Sequence, residues 1–313
     1  MLQIEHLSRR YGSRMALQDL SFTAGGHEII ALMGRNGAGK STLMNILTGY
    51  LAPSEGKVTI GGYDVQSDAI AARRLIGYLP ETPPLYPDLT VHEYLTYCAQ
   101  LKGIGKRQLK AEVERVIDRA GLKEYRNRLS RALSKGYRQR LGMAQALLGS
   151  PALLILDEPG SGLDPLQMVQ MREMILDAAK ECTVLLSSHI LSEVTNVCTR
   201  AIVIEAGQLC YDGPMAALLQ SENALRIVFD GGAGVADALR EIPGVNQVRI
   251  IPGTENTLEV FCEKNADLRA EISRCVTGCG AAILELTPLQ GGLENAFLRL
   301  LAGNAHTEEV QEE

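Results

Sequence analysis

Short runs of consecutive apolar residues alternate with stretches of helical periodicity over roughly the first 220 residues of the chain. Ile29 to Met33, Val184 to Leu186 and Ala201 to Ile204 are apolar throughout, which is typical of strands that are buried on both faces of a sheet. Glycine turns separate these runs from the helical patterns. The pattern therefore predicts an α/β domain with a largely buried sheet over residues 1–220.

Residues from about 83 to 150 follow a different pattern, in which apolar positions recur at helical spacing. Leu109, Val113, Val116, Ile117 and Ala120 fall on one face of a helix. The lysine and arginine residues of this stretch fit the solvated faces of such helices. We therefore expect a helical subdomain, inserted between strands of the first domain.

The chain after residue 220 has a second, compact pattern of strands and helices. Strands are predicted near Leu225 to Phe229, Gln247 to Ile251, Leu258 to Cys262 and Ala282 to Leu286, and helices near Val235 to Glu241 and Ala266 to Val276. The order βαββαβ predicts a small α+β module of the ferredoxin-like type over residues 221–303. A last amphipathic helix is expected near Leu293 to Leu301, and the acidic residues 304–313 are expected to be disordered.

The overall composition narrows the possible classes of protein. With 46% apolar residues the chain has enough material for packed cores, and its net charge of −6 gives no basic field that would attract nucleic acid. The chain has seven irregularly spaced cysteines and no charged-then-apolar leader, which indicates a reducing cytosol. Cys275 and Cys279 are the closest pair, and no second Cys/His pair at metal-ligand spacing accompanies them, so we do not expect a metal site there. No apolar stretch approaches the roughly 18 residues that cross a bilayer. A membrane role would therefore require another subunit.

The segment between the first apolar run and the following helical pattern carries the strongest chemical signal. Its nine residues are Gly34, Arg35, Asn36, Gly37, Ala38, Gly39, Lys40, Ser41 and Thr42, and the first eight of them match the phosphate-loop pattern Gly-x-x-x-x-Gly-Lys-[Ser/Thr]. Glycines allow backbone N–H groups to turn toward an anion, and the positive end of the helix dipole points at the phosphates. Lys40 would neutralise phosphate charge and Ser41 would bind Mg²⁺. The alternative is an ordinary glycine turn before a helix.

Two adjacent carboxylates end another apolar run, Leu153 to Leu156. Asp157 and Glu158 would be costly at the end of a buried strand unless cations or hydrogen bonds compensate them. With a phosphate loop upstream, Asp157 is expected to hold Mg²⁺, and Glu158 to orient and deprotonate the water that attacks the γ-phosphate. The alternative is a strand that ends in solvent with two exposed acids.

The segment Leu133 to Arg140, with the sequence LSKGYRQR, lies between these two motifs and resembles the signature of ABC-transporter ATPases. The order of the three motifs is also that of the family. The resemblance implies that Ser134 and Gly136 bind the γ-phosphate of a nucleotide held by the other subunit, at a helix N-terminus. Taken alone, Ser134 could also be a simple helix N-cap.

The same resemblance implies roles for three further residues. Tyr11 would stack on the adenine ring, His189 would contact the γ-phosphate, and Asp164 would communicate between subunits. The alternatives are an aromatic residue in a turn, a histidine that caps a helix, and an N-cap aspartate followed by Pro165 at the first helical position.

The chain departs from the family pattern at three positions. Glu81 stands where the family commonly has a glutamine that senses Mg²⁺ and the membrane partner, and it is kept as a candidate metal-site residue because a carboxylate can accept from metal-bound water. Lys135 and Tyr137 replace a glycine and a glutamine of the signature. The ending, residues 292–300, resembles the C-terminal extension of ATPases of multidrug-type and gliding-motility-type exporters.

The resemblance as a whole implies a P-loop NTPase fold of the ABC type and a definite activity. The expected protein is the ATPase subunit of a bacterial ABC exporter, a homodimer that closes on two Mg·ATP and drives a separate transmembrane permease from the cytoplasmic face of the membrane. The alternative function is a soluble ABC-type ATPase that acts on DNA or ribosomes. A third hypothesis, in which the C-terminal module binds a small ligand and regulates the ATPase, could coexist with the first.

Overall fold

The computed structural model describes residues 1–188, 191–219, 223–251, 256–263 and 266–289 of the 313-residue chain. The chain divides into two compact units, Met1–Pro214 and Met215–Glu313. The predicted domain limits at residues 220 and 303, and those of the helical subdomain, stay predictions. The predicted helix near Leu293 to Leu301 and the acidic tail 304–313 lie outside the described residues.

The first unit mixes strands and helices throughout its length. In chain order its elements are β1 (Leu2–Tyr11), β2 (Arg14–Ala24), β3 (Ile29–Met33), α1 (Lys40–Leu47), β4 (Glu55–Ile60), β5 (Tyr63–Asp64), α2 (Ala69–Arg74), β6 (Ile76–Leu79), α3 (Val91–Leu101), α4 (Lys106–Arg119), α5 (Lys135–Ala146), β7 (Leu153–Asp157), α6 (Pro165–Ala178), β8 (Thr183–Ser187), α7 (Leu191–Val197), β9 (Arg200–Glu205) and β10 (Gln208–Pro214).

The strands of the first unit form two sheets. A six-stranded sheet has the order β10-β9-β3-β8-β7-β6, in which all pairs are parallel except β10 with β9. The residues of β3 and β8 are buried throughout, as expected for central parallel strands covered on both faces. Because parallel strands end at the same edge, the residues that follow β3, β6, β7, β8 and β9 lie at one carboxyl edge, where ligands bind in open α/β sheets. The α/β class predicted from the sequence is confirmed.

A second, antiparallel sheet has the order β2-β1-β4-β5, and the hydrophobic pattern does not predict it. One face of this sheet is buried: Leu2, Ile4, Leu17 and Leu20 belong to one apolar cluster with Ile30 of β3. Residues of α1 belong to the same cluster. The start of the phosphate-loop helix is therefore anchored in the core that both sheets share.

The residues between β6 and β7 form helices in place of strands. The face of α4 that carries Val113, Val116 and Ile117 is buried. The helix α3 begins with a capping box, in which Thr90 Oγ1 accepts from the Glu93 N–H and the Glu93 carboxylate accepts from the Thr90 N–H. The buried apolar face of α4 and the capping box of α3 thus explain why these two segments are helical.

The second unit contains the predicted βαββαβ order after a short helix. Its elements are α8 (Met215–Leu219), β11 (Asn223–Gly231), α9 (Val235–Arg240), β12 (Val245–Ile250), β13 (Thr257–Cys262), α10 (Arg269–Gly278) and β14 (Ala281–Leu289). The sheet order is β12-β13-β11-β14 with antiparallel neighbours, so β13 separates the parallel strands β11 and β12. This is the split βαβ arrangement of ferredoxin-like folds, and the prediction is confirmed.

Each unit has a separate apolar cluster, and that of the second includes Ile227, Leu239, Val260, Ile272 and Val276.

All seven cysteines are free thiols. Among the described residues, no helix is both long enough and apolar enough to span a bilayer.

Three polar side chains bind the backbone just after the end of α5. Lys102 donates to the Leu148 carbonyl, Arg115 donates to the Leu147 carbonyl, and Glu112 accepts from the Gly149 N–H. They satisfy backbone groups that a helix end leaves without partners. Burial lowers the pKa of Lys102 from 10.5 to about 8, against the opposing attraction of Glu112.

The lowered pKa of Lys102 makes the stability of this region depend on pH. Between about pH 8 and pH 10.5 the unfolded chain binds more protons at this lysine than the folded chain does, so its contribution to the free energy of unfolding rises with pH. We expect the difference in free energy of unfolding between the wild type and Lys102→Met to move by about 1–3 kcal/mol in favour of the wild type across this window. Chemical denaturation at a series of pH values measures it.

Lys106→Met is the matched control, because it removes an exposed lysine from the start of α4. A wild-type advantage over Lys102→Met that stays constant with pH would contradict the assignment.

Candidate functional site

The phosphate loop connects β3 to α1 at the carboxyl edge of the parallel sheet. Gly34 follows the last residue of β3, and Gly39 is the N-cap of α1. Gly39 has φ 116°, and a Cβ there would lie 2.6 Å from the Ala16 carbonyl oxygen. Gly34 has φ 153°, and a Cβ there would collide with the Ile204 carbonyl oxygen. The neighbouring backbone at Ala16 leaves no room for a side chain at residue 39, and the backbone at Ile204 leaves none at residue 34. Glycine is therefore the residue that fits at both positions.

Lys40 is the first residue of α1, and its ammonium group turns back over the loop. Its Nζ donates to the carbonyl oxygens of Gly34, at 2.6 Å, and Arg35, at 3.0 Å. Burial lowers the pKa of Lys40, while the negative charges of Glu158, Asp157 and Glu205 act in the opposite direction. A partly buried cation thus interacts with three carboxylates.

The two adjacent carboxylates lie at the end of β7, beside the end of β8. The register pairs Asp157 with Ser187. The hydroxyl of Ser187 donates to Asp157 Oδ1 at 2.6 Å and accepts from the Glu158 N–H at 3.1 Å. The same N–H also lies 3.1 Å from the Ser187 carbonyl oxygen. A single buried serine therefore fixes the positions of both acidic residues, and the sequence analysis did not single it out.

Glu158 has a backbone conformation that only a few residue types adopt without cost. Its φ is 48°, in the left-handed region. Such strain typically costs of order 1–3 kcal/mol and is concentrated at functional sites. The turn directs the chain from β7 toward α6, and it places Glu158 on the wall of the cavity described next.

A cavity of about 520 Å³ lies at this edge of the sheet, within the range typical of small-molecule sites. The residues that line it are Tyr11, Arg14, Ala16, Gly34, Asn36, Gly37, Gly39, Lys40, Ser41, Thr42, Glu81, Asp157, Glu158 and Ser188. The structure thus brings together predicted site residues that are far apart in the sequence, such as Tyr11, Lys40 and Glu158. Of the nine loop residues, Arg35 and Ala38 do not line the cavity.

Tyr11 and Glu81 approach the cavity from elements outside the loop. Tyr11 is the last residue of β1, and its ring is about half exposed, with the Arg9 guanidinium 4.9 Å from the ring centre. Glu81 follows β6, and its Oε1 lies 3.5 Å from Ser161 Oγ, in the loop after Glu158. Glu81 therefore lies within reach of both the cavity and that loop.

The signature residues lie at the amino end of α5 and do not line this cavity. Ser134 is the N-cap of α5, exposed to solvent, and its hydroxyl accepts from the Tyr137 N–H. Gly136 is buried against the side chain of Gln167 in α6, so closely that a Cβ would collide with it. The N-cap alternative for Ser134 is thus present in the geometry, and it leaves the hydroxyl at the surface.

The two departures from the signature have identifiable contacts. The ring of Tyr137 lies 4.0 Å from that of Tyr125, and the guanidinium groups of Arg140 and Arg128 lie over the two rings, at 5.2 and 5.0 Å. The side chain of Lys135 extends over Gly162, in the loop before α6. Both residues therefore connect the amino end of α5 to neighbouring segments.

Asp164 is the N-cap of α6 in a complete capping box. It accepts from the Gln167 N–H at 2.9 Å, the Gln167 side chain accepts from the Asp164 N–H, and Pro165 occupies the first helical position. This is the alternative that the sequence left open for Asp164. His189 lies outside the described residues.

Arg14 and Ser188 line the cavity although the sequence analysis did not single them out. Arg14 begins β2 and pairs in register with Tyr11. Ser188 follows the last residue of β8, and its hydroxyl lies 3.5 Å from Glu193. A motif search cannot find either, because an isolated arginine or serine has no signal until the strands are assembled.

The chain is similar to known proteins along its whole length. The family model described as ABC transporter matches residues 17–161. An uncharacterized ABC transporter ATP-binding protein of Bacillus subtilis, YdbJ, is 33% identical over 100% of this chain and 98% of its own. The bacitracin transport ATP-binding protein BcrA of Bacillus licheniformis is 31% identical over 97% of this chain and 98% of its own. A solved ATP-binding subunit of an ABC transporter matches with a TM-score of 0.65 and 31% identity, over 70% of this chain and 91% of that chain.

Replacing Ser187 tests whether its hydroxyl holds the two acidic residues. In Ser187→Ala, Asp157 loses a hydrogen bond of 2.6 Å inside the fold, so we expect the free energy of unfolding to fall by about 1–3 kcal/mol. Urea denaturation measures the change.

Thr183→Val, on the same strand, is the matched control. The Thr183 hydroxyl is buried and has no hydrogen-bond partner in the described part of the chain, so an apolar side chain of the same shape should leave stability unchanged or raise it. Equal losses in the two variants would show that the Ser187 hydroxyl has no special role.

Proposed function

This chain belongs to the family of ABC transporter ATP-binding subunits and is an ATPase, and we propose that it powers an exporter as a homodimer closed on two Mg·ATP. The observation that carries the proposal is the gathering of Lys40, Ser41, Asp157 and Glu158 around one cavity at the amino end of α1. The dipole and N–H groups of that helix end favour a phosphate, and Lys40 adds a positive charge.

The cavity also fits a Mg²⁺ ion bound together with the nucleotide. Ser41, Asp157 and Glu81 line one cavity and carry side-chain oxygen atoms, the ligand type that Mg²⁺ prefers. Among the described residues, no group of three or more His, Cys, Asp or Glu side chains could hold a metal ion alone. Sites of that kind use one or two carboxylates and the substrate's own phosphates. The ion would neutralise charge that develops on the phosphate oxygens.

In this proposal Glu158 is the base and Asp157 the metal-site carboxylate. Ser187 holds the Asp157 carboxylate and the Glu158 N–H, and Glu158 lines the cavity. Glu158 takes the proton of the attacking water, and Lys40 transfers its hydrogen bonds from the loop carbonyls to the phosphates. We assign His189 to the γ-phosphate and Tyr11 to the adenine ring by family resemblance.

The need for a second subunit is supported by where the signature residues lie. Ser134 is exposed at the amino end of a 12-residue helix and does not line the cavity of its own chain. A second copy facing head to tail would bring Ser134 and Gly136, with the positive end of α5, to the γ-phosphate. The γ-phosphate then makes contacts that exist only in the closed state, and its loss on hydrolysis releases the dimer. Asp164, at the start of α6, would communicate between the subunits.

The proposed partner is a transmembrane permease, which this chain would bind at the cytoplasmic face of the membrane. The name of BcrA links that relative to bacitracin transport. The resemblance of the C-terminal segment is what favours an exporter. We propose that the second unit stabilises the dimer. No observation on the described residues favours action on DNA or ribosomes.

Replacing Glu158 separates nucleotide binding from hydrolysis. Glu158→Gln keeps the shape of the side chain but removes the base, so we expect ATP binding to persist, phosphate release to stop and an ATP-dependent dimer to accumulate. Phosphate release assays and light scattering coupled to size-exclusion chromatography measure these effects.

Glu173→Gln, on an exposed position of α6, is the control for the loss of one carboxylate. Hydrolysis by Glu158→Gln at the wild-type rate would remove Glu158 from the role of base.

Replacing Lys40 tests the phosphate loop directly. In Lys40→Ala a charge-assisted contact to phosphate is lost in a partly dry site, so ATP binding should weaken by about 1.5–3 kcal/mol. Isothermal titration calorimetry measures it, with Lys57→Ala on the exposed part of β4 as the control. ATP affinity that is unchanged in Lys40→Ala would contradict the assignment of the loop.

A further inference from the structure

Arg14 is a cation of the cavity to which neither the phosphate-loop motif nor the signature assigns a role. It is the first residue of β2 and faces Tyr11 across the two-residue turn Gly12-Ser13. Gly12 has φ 58°, as such tight turns between antiparallel strands require. Since both flanking strands belong to the antiparallel sheet, the hairpin holds Tyr11 and Arg14 at fixed positions on the cavity wall.

The guanidinium group of Arg14 lies next to the middle of the phosphate loop. Its Nη2 is 3.6 Å from the point that a Cβ on Gly37 would occupy. Lys40 lies at the other end of the loop, where its ammonium group contacts the carbonyls of Gly34 and Arg35. The loop is therefore flanked by two cations that come from different elements.

The donors of Arg14 are available to a ligand. Within the described ranges Arg14 makes no ion pair and no side-chain hydrogen bond, whereas its neighbour Arg9 donates to the Ala52 carbonyl and Arg10 donates to Met15 Sδ. A guanidinium group offers five N–H donors in a planar fork that matches phosphate oxygens. An exposed arginine without partners is ordinary elsewhere on a surface, but this one lines a cavity whose other cation is the phosphate-loop lysine.

We propose that Arg14 binds the nucleotide through the phosphates that ATP and ADP share. This assignment rests on the proposed function. The N–H groups of a phosphate loop cradle the α- and β-phosphates, and Arg14 lies over the middle of that loop, at Gly37. Asp157 and Glu158, to which the proposal gives the metal and the γ-phosphate chemistry, lie at the end of a different strand, β7. Arg14 therefore contributes to the affinity for both nucleotides, and so to how slowly ADP leaves.

The test compares Arg14→Gln with Arg10→Gln in the full-length protein. Both changes remove one positive charge from the same hairpin, but Arg10 does not line the cavity. We expect Arg14→Gln to raise the dissociation constants of ATP and of ADP by roughly tenfold, because a charge-assisted contact to phosphate is lost in a partly exposed site. Arg10→Gln should leave both constants near the wild-type values. Calorimetry at a fixed, moderate salt concentration measures the constants, and circular dichroism checks that each variant folds.

Arg14→Lys distinguishes a phosphate contact from a purely structural role. Lysine keeps the charge but not the fork, so it should recover part of the lost affinity. Three results would overturn the proposal: Arg14→Gln that binds as Arg10→Gln does, Arg14→Lys that is as weak as Arg14→Gln, or a loss confined to ATP. If the wild type hydrolyses ATP and Lys40→Ala loses affinity while any of these is found, the proposed function stands and the role of Arg14 fails.

Discussion

The partly buried ammonium group of Lys40 is the charge around which the first unit's site is arranged. Burial disfavours its charged form, and three carboxylates favour it, Glu158 most strongly. Carbonyl oxygens of the loop accept its hydrogen bonds, yet a neutral carbonyl is a weaker partner for a cation than an anionic oxygen. A positive charge and several negative charges therefore lie close together at one edge of a sheet. A ligand that brings an anion to the lysine and a cation to the acids satisfies both, and a metal-bound nucleotide does so.

The parts of this molecule that could be predicted from the sequence are those with strong local signals. Residues 29–33 are apolar without interruption and form β3 with those limits, and the glycines at 34 and 39 have positive φ angles, which favour glycine. The second unit was predictable because its strands and helices alternate with clear turns. The antiparallel sheet was not, because β1 and β2 mix exposed and buried residues irregularly and are interrupted by register shifts.

The site residues that the sequence did not indicate act through contacts made only in three dimensions. In the sequence Ser187 is only the first of two serines after an apolar run, and its hydroxyl reaches Asp157 only when β7 and β8 pair. Arg14 gains its position from a hairpin turn. Conversely, Ser134 and Asp164 have the geometry of ordinary helix caps in this chain, so the subunit-contact roles inferred for them depend on a second copy, which a single chain does not contain.

The left-handed backbone of Glu158 sets stability against turnover at a single residue. Glycine would adopt a φ of 48° at no steric cost, and asparagine tolerates it better than glutamate does. Neither of them carries a carboxylate. Laboratory evolution of this chain under heat alone would therefore favour variants at residue 158 that survive longer and have lost their chemistry. Engineers who want a heat-resistant form need to hold this position constant, or to screen every improved clone for activity.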